Sequence, residues 1–389
     1  MSSDVRPSPA AGLRARRAQL TARVGPLPGS VRRLLDNRLV EGLTTPHGVS
    51  RYLEAVHPLW TLEGGRALVT DVHAETADTV TLTLRPDHGW RGFVAGQHVR
   101  IGVQIDGALR TRTYSVSSSQ HRGDGQLTIT VKRKEGGLVS GHLASEVEAG
   151  QTLACSPATG DVVLPDPRPD RLVLISGGSG ITPMASMLRT LAHEGHTGRV
   201  TFLHYARTHD DVAFADDLDR IAGQMPDAQV VIVTTGPKER GPLTGRFVPP
   251  HLHNLVPDHL EVPTFACGPT GLIDAVEAHY ETAGGIEHLQ VERFTPPVLQ
   301  ASAGPGDGTI RFTASGIERP DDGRSLLDQA EDEGLAPEFG CRMGICRTCT
   351  QHKVAGGTLD LRNGRRSDAP EEQVQICVSV AAGDVILDL

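Results

Sequence analysis

The chain has 389 residues, a formal net charge of −9, and 38% hydrophobic and 22% charged residues. This length favours two to four domains, and the absence of a long basic run argues against nucleic-acid binding. No stretch approaches the roughly eighteen apolar residues of a membrane span and no signal-peptide core follows the N-terminal charges, so we expect a cytoplasmic protein.

Residues 1–62 form a basic arm with nine Arg, no Lys and four acidic residues. Apolar residues in it recur at helical spacing and predict an amphipathic helix; they are Val31, Leu34, Leu35, Leu39, Val40 and Leu43. We expect this helix to pack on the rest of the chain. The alternative is a helix that docks on a partner or lies peripherally at the inner membrane face.

Residues 63–167 have the pattern of a small antiparallel β-barrel. The predicted strands are Ala67–Val72, Thr79–Leu84, His98–Val103, Thr111–Ser117 and Leu127–Lys132. The fourth carries Arg112, Thr113, Tyr114 and Ser115 in succession. An arginine can pair with a phosphate, a tyrosine ring can lie against a flavin, and hydroxyls can hydrogen-bond the flavin edge. The alternative is that Tyr114 is ordinary core.

A second motif in this domain is Gly136-Gly137-Leu138-Val139-Ser140, which predicts the start of a helix running through Ala144. Helix N-termini with flexible glycines bind pyrophosphate through free N–H groups and the helix dipole. A plain turn is the alternative. Together with the strand motif, the segment favours a flavin site.

Residues 168–293 predict a parallel α/β domain, because apolar runs alternate with helical segments. Its predicted strands are Leu172–Ile175, Val200–Tyr205, Val230–Thr234 and Thr264–Cys267. Gly177, Gly178 and Gly180 follow the first strand. We expect Thr182 to cap the next helix and Pro183 to lie in its first turn. Nucleotides bind at such strand ends, although the spacing departs from G-x-G-x-x-G.

Candidate cofactor-binding residues follow two further strands of this domain. Cys267, Gly268 and Pro269 follow the fourth strand, where a small thiol fits beside a nicotinamide; the alternative is an ordinary buried cysteine. Arg207 follows the second strand and can accommodate the 2′-phosphate of NADPH. Two aspartates close behind it leave NADH open.

A Pro- and Gly-rich stretch at residues 294–307 predicts a linker. The segment that follows it, 308–389, has four cysteines separated by four, two and twenty-seven residues, the spacing of a plant-type [2Fe–2S] cluster. Gly340 and Gly344 let the loop turn its N–H groups toward sulfur. A zinc site usually shows two short C-x2-C pairs, so we favour iron–sulfur. The predicted ligands are Cys341, Cys346, Cys349 and Cys377.

With these elements in order, residues 64–389 resemble the ferredoxin–NADP reductase superfamily, in particular oxygenase reductases of the phthalate dioxygenase reductase type. The resemblance implies a multidomain fold: an antiparallel β-barrel flavin domain, an α/β parallel-sheet nicotinamide domain and an α+β β-grasp ferredoxin domain. It implies FAD, with FMN possible, and NADPH, with NADH possible. It also implies that Ser115 and Cys267 are catalytic residues. Phe294 would be an aromatic side chain over the flavin, and the alternative is that it belongs to the core.

The same resemblance implies which residues bind each cofactor. The flavin residues are Arg112, Thr113, Tyr114 and Ser115, with Gly137, Leu138, Val139 and Ser140 at its phosphate. The nicotinamide nucleotide residues are Gly177, Gly178, Gly180, Thr182, Arg207, Cys267, Gly268 and Pro269.

The basic arm, the run His204-Tyr205-Ala206-Arg207 and the ferredoxin tail resemble actinobacterial reductases that supply electrons to membrane desaturases. This implies a di-iron fatty-acyl desaturase or hydroxylase as acceptor. A Rieske-type dioxygenase or demethylase is one alternative, and a redox-sensing or partner-binding iron–sulfur protein is another. Residues 308–389 carry nine Arg and Lys against fourteen Asp and Glu, a net charge of −5, which predicts docking on a basic partner.

A nicotinamide gives two electrons as hydride and the cluster accepts one, so a flavin must stand between them. We expect no protein general acid or base, because solvent or a hydroxyl such as that of Ser115 can exchange the proton. The seventeen His are scattered, and we expect them to be hydrogen-bonded or on the surface.

Overall fold

The computed structural model describes residues 59, 65–105, 107–236, 243–294, 306, 308–339, 344, 347–362 and 364–389. The predicted N-terminal helix, most of the predicted linker, Gly340, Cys341 and Cys346 lie outside these residues. The chain forms two compact units. The first holds the described parts of Met1–Leu109, Tyr114–Gly268 and Leu272–Glu292, and the second holds those of Arg110–Thr113, Pro269–Gly271 and Arg293–Leu389.

The first sheet confirms the predicted antiparallel barrel. Its six strands lie in the order β4-β3-β6-β1-β2-β5: β1 Arg66–Thr76, β2 Thr79–Pro86, β3 His98–Ile105, β4 Ala108–Ser115, β5 Leu127–Lys132 and β6 Thr152–Cys155. Alternating β-branched and aliphatic residues put Leu82, Ile101 and Ile129 inside, fully buried. The four-residue β6 was not predicted, since so short a segment shows no period. Helix α1 spans Leu138–Ser145, as expected.

The second sheet confirms the parallel α/β domain, with strand order β11-β10-β7-β8-β9. The strands are β7 Arg171–Gly177, β8 Arg199–Ala206, β9 Ala228–Thr234, β10 Thr264–Gly268 and β11 Leu289–Arg293. The helices are α2 Ile181–Glu194, α3 Ala215–Gln224, α4 Pro249–His253 and α5 Thr270–Ala283. The chain winds from β7 to β9 in one direction and returns as β10 on the other side of β7. The strand order therefore reverses between β7 and β10, which is where α/β folds bind ligands.

The third sheet belongs to the second unit and has the mixed character expected of an α+β ferredoxin domain. Its strands are β12 Thr309–Phe312, β13 Ile317–Pro320, β14 Thr350–Asp360, β15 Arg366–Ser367, β16 Glu372–Gln375 and β17 Ser379–Leu387. Strand β12 runs parallel to β17, which is antiparallel to β14. Helix α6, Leu326–Asp332, is capped by Ser325, whose Oγ accepts the Asp328 N–H at 3.1 Å.

The predicted cap of α2 is wrong. A single 3₁₀ turn over Gly178–Gly180 leads directly into α2, so the helix begins at Ile181 with Gly180 as its N-cap. Thr182 is already inside the helix, and its hydroxyl donates to the Ser179 carbonyl at 3.0 Å. Pro183 does lie in the first turn. Among the described residues no helix is long and apolar enough to span a bilayer.

His204 meets the expectation that histidines are hydrogen-bonded or exposed through only one of its ring nitrogens. This side chain on β8 is fully buried. Its Nδ1 lies 2.7 Å from the Ser176 hydroxyl, and its buried Nε2 has no hydrogen-bond partner among the described residues. Burial, helped by the charge of Lys132, lowers the pKa of His204 to about 3. The imidazole therefore stays neutral across the physiological range.

Unfolding at different pH values tests this assignment. In the unfolded chain His204 binds a proton near the ordinary histidine pKa of 6.5, whereas in the folded protein its pKa is only about 3. Stability is therefore lost as pH falls from 6.5 toward 3, with a contribution of up to about 1.4 kcal/mol per pH unit. We expect Ser176→Ala/His204→Leu to flatten this slope in urea titrations, and Ser176→Ala alone to retain it. An unchanged slope in the double variant would contradict the assignment.

Candidate redox site

Two glycine-containing loops meet at the point where the nicotinamide sheet reverses. A Cβ on Gly180 would lie 2.2 Å from the Cys267 carbonyl oxygen and 2.7 Å from the Gly268 Cα, so only glycine allows this approach. Gly178 adopts a φ of 53°, which glycine takes without strain. The structure thus brings the β7 loop, the N-terminus of α2 and Cys267 together at one sheet edge, as the sequence predicts.

A buried carboxyl that the sequence analysis missed lies in the same unit. Glu292 on β11 is 14% exposed, and its Oε1 is 3.5 Å from His98 Nδ1. Its other oxygen is buried with no hydrogen-bond partner among the described residues. Burial raises the pKa of the Glu292 carboxyl, and His98 and Ser115 offset this only in part. A buried carboxyl of this kind is typical of functional sites.

Cys267 is fully buried beside this carboxyl. Burial, with a smaller contribution from the charge of Glu292, raises the pKa of the Cys267 thiol well above its usual value. The thiol is therefore neutral and small, suited to packing and not to nucleophilic attack. This agrees with the predicted position beside a nicotinamide.

The hydroxyl face of β4 fits a flavin. The Ser115 hydroxyl oxygen is buried at the end of β4, and the Glu292 carboxyl lies near it. Buried polar atoms without a full set of partners are costly, and a bound ring with polar edge atoms would satisfy them. The ring of Tyr114, the preceding residue, packs against the barrel core, as the alternative interpretation expects.

The N-terminus of α1 fits a phosphate group. It adjoins a surface cavity of about 950 Å³ that Arg133 and Lys134 line together with Gly137. No side chain caps the helix, and a Cβ on Gly137 would lie 2.5 Å from the Ser140 hydroxyl. The helix N-terminus therefore offers free N–H groups to an anion, while Asp78, Glu135 and Glu146 line the same cavity and balance its two cations.

The structure says less about the other residues predicted to bind the nucleotide. Arg207 directly follows β8, is 73% exposed, and lies 3.8 Å from Asp211, so its guanidinium faces solvent at the correct sheet edge. Arg112, Pro269 and Phe294 fall in the second unit. Their roles toward flavin and nicotinamide stay predictions.

The described part of the predicted cluster site holds two of the four thiols that a [2Fe–2S] cluster requires. Cys349 and Cys377 are buried, and their Sγ atoms lie 3.0 Å apart. Gly344 has a φ of 71°, and its carbonyl accepts hydrogen bonds of 2.8 Å from both Arg362 and Gln375. These contacts fix the backbone of Gly344. No group of three metal-binding side chains occurs within the described residues, to which Cys341 and Cys346 do not belong.

Only a weak pattern in the sequence could have identified the site residues that were not predicted. Glu292 occupies an inward position of a strand that was not predicted. Alternation along β11 would have indicated an inward carboxylate, had the strand been recognised. Nothing local marks His98 as its partner.

Replacement of Glu292 by Gln tests its part in the site. The neutral amide keeps the shape and stays uncharged at every pH, so we expect hydride transfer in the variant to keep the low-pH rate of the wild type with FAD still bound. In the wild type the rate should fall as pH rises through the raised pKa of Glu292, since a carboxylate then opposes developing negative charge. The variant should lack this fall.

The measurement is single-turnover flavin reduction in anaerobic stopped flow, repeated across the pH range in which both cofactors stay bound. Glu287→Gln is the matched control, because this carboxylate is 66% exposed. An unchanged rate and pH profile in Glu292→Gln would limit the residue to a structural role. Complete loss of hydride transfer with both cofactors bound would overturn the expectation that the protein supplies no general acid or base.

Three family models match successive parts of the chain. They are the oxidoreductase FAD-binding domain at residues 66–163, the oxidoreductase NAD-binding domain at 174–278 and the 2Fe-2S iron-sulfur cluster binding domain at 313–382. The matches confirm the predicted flavin, nicotinamide and [2Fe–2S] cofactors and their order.

Similar proteins agree with this assignment. The NADPH oxidoreductase of Mycobacterium tuberculosis is 37% identical over 356 residues, covering 90% of this chain and 91% of that protein. The glycine betaine monooxygenase reductase subunit of Pseudomonas aeruginosa is 31% identical, covering 84% of this chain and 96% of the subunit. The structure of phthalate dioxygenase reductase has the same fold, with a TM-score of 0.58, 23% identity, and coverage of 84% of this chain and 98% of that one.

Proposed function

This chain belongs to the family of NAD(P)H oxidoreductases that join FAD-binding, NAD-binding and [2Fe–2S] domains, and we propose that it passes single electrons from NADPH to an oxygenase-type protein. The observation that supports the proposal is that one unit contains both a glycine loop of the kind that binds nucleotides and buried polar atoms near it. Gly180 and Cys267 form the loop contact, while Ser115 and Glu292 supply the atoms.

Each set of residues has its own task in this proposal. Thr113 and Ser115 donate hydrogen bonds to the flavin edge, and residues 137–140 bind its phosphate through N–H groups. Residues 177–182 bind the nicotinamide nucleotide, while Cys267 shapes the space for its ring and excludes water. FAD, when bound, converts a two-electron donor into single electrons. The cysteine thiolates hold the cluster that passes them on.

Arg207 supports NADPH as the donor. Its exposed guanidinium follows β8, the place where α/β dinucleotide folds recognise the ribose. The mycobacterial relative is named an NADPH oxidoreductase, in keeping with this choice. Asp211 weakens this preference for NADPH, because its carboxylate partly neutralises the charge of Arg207.

The acceptor class rests on two kinds of support. The Pseudomonas relative is named as a reductase subunit of a monooxygenase, which favours an oxygenase component. The basic arm, the run His204-Tyr205-Ala206-Arg207 and the ferredoxin tail favour a di-iron fatty-acyl desaturase or hydroxylase. The excess of acidic residues in 308–389 suits docking on a basic partner face. A Rieske-type oxygenase or demethylase is the second candidate, favoured by the monooxygenase relative.

Anaerobic stopped flow with NADPH and NADH in parallel tests donor and function together. We expect flavin reduction to be followed by bleaching of the [2Fe–2S] absorbance, with a preference for NADPH. Arg207→Ala should raise the KM for NADPH about tenfold through the lost charge-assisted hydrogen bonds and leave that for NADH unchanged. Arg171→Ala, which removes an arginine whose carboxylate partner is Asp258, is the matched control.

The reduced protein is then mixed with a desaturase, a hydroxylase or a Rieske oxygenase component. Oxidation of the cluster by one class identifies the acceptor, and its rate should fall with ionic strength. A cluster that NADPH fails to reduce on the time scale of turnover would contradict the proposal and favour a sensing role.

A further inference from the structure

A second cavity lies in the first unit, away from the redox site. It encloses about 530 Å³ between the barrel and helices α2 and α3. Arg189 and His193 of α2 line it. These residues follow Ile181 by eight and twelve positions, which places them about 12 to 18 Å along the helix from the nucleotide edge. The cavity is therefore distinct from the flavin and nicotinamide sites.

The cavity wall carries an excess of positive charge. Arg122, Arg189 and Arg220 all line it. Their carboxylate partners are two in number: Asp124 lies 2.8 Å from Arg122, and Asp217 pairs with both Arg189 and Arg220. Three guanidinium groups against two carboxylates leave one positive charge.

Asp217 is held in its charged form by these arginines. Burial on its own would raise the pKa of this carboxyl, but the charges and hydrogen bonds of Arg189 and Arg220 outweigh burial and lower it. Arg189 is fixed further by the Ser117 carbonyl and by the Phe214 ring, whose centroid is 4.3 Å from its Cζ. The arrangement is therefore a set of charges held in place before any ligand arrives.

Polar groups from the barrel face the arginines across the cavity. Ser119 and Thr128 line it, and the Ser119 hydroxyl lies 3.2 Å from His193 Nδ1. Ile221 adds an apolar wall. Guanidinium groups with nearby hydroxyls match phosphate oxygens. The volume falls within the roughly 300–1,000 Å³ of small-molecule sites.

We propose that this cavity binds a small phosphorylated metabolite. Its walls come from the barrel, from α2 and from α3, so the bound phosphate bridges the flavin and nicotinamide domains. Binding of the phosphorylated metabolite stabilises the contact between the flavin and nicotinamide domains. The proposal does not depend on the identity of the electron donor or acceptor.

Inorganic phosphate and pyrophosphate are the probes. Each is titrated by calorimetry, at constant ionic strength, into the full-length protein loaded with FAD and saturated with NADP⁺, so that both nucleotide sites are occupied. We expect saturable binding of one anion per chain and a rise in Tm. Arg122→Gln and Arg220→Gln should each weaken binding at least about tenfold, because each removes a charged donor.

Arg171→Gln is the matched control, since this arginine is similarly exposed in the same domain but lies outside the cavity. Retained NADPH oxidation with a small artificial acceptor shows that the cavity variants fold. Unsaturable heats in the wild type would overturn the proposal. Equal dissociation constants in the wild type and both cavity variants would also overturn it.

Discussion

The redox site depends on one backbone contact, the packing of Gly180 against the carbonyl of Cys267. It joins the loops after β7 and β10 where the strand order reverses. No side chain fits between them, so the N-terminus of α2 and the thiol of Cys267 come to the same edge. In the proposed function, that contact sets where the nicotinamide nucleotide binds.

Burial gives the groups at this edge their chemistry. The Cys267 thiol and the Glu292 carboxyl are both withdrawn from water, and burial favours the neutral form of each. A neutral lining suits a reaction in which a hydride crosses between two rings, because fixed charges there would favour one redox state. The hydroxyls on β4 supply polarity without net charge. Charged groups are found in solvent, as at Arg207, and in the cavity beside Arg189.

The fold was largely predictable because its signals are local. Alternation marked the barrel strands, apolar runs marked β7 to β10, and cysteine spacing marked the cluster domain. Thr182 was misassigned because the preceding 3₁₀ turn depends on the close approach of Gly180 to β10, a tertiary contact. The half-exposed edge strand β11 lacked a strong period, and its Glu292 was missed with it. The buried state of His204 depends on both faces of the sheet being covered, which no local pattern reports.

A crystal structure of the FAD-loaded protein tests the central claim that the hydroxyl face of β4 and the nearby Glu292 form the flavin site. The account predicts that the Ser115 hydroxyl oxygen, which is buried near the Glu292 carboxyl, lies within hydrogen-bond distance of flavin ring atoms. The Cys267 thiol should face the same ring across the space for the nicotinamide. A flavin ring bound elsewhere, with the Ser115 hydroxyl satisfied by protein atoms, would contradict the account.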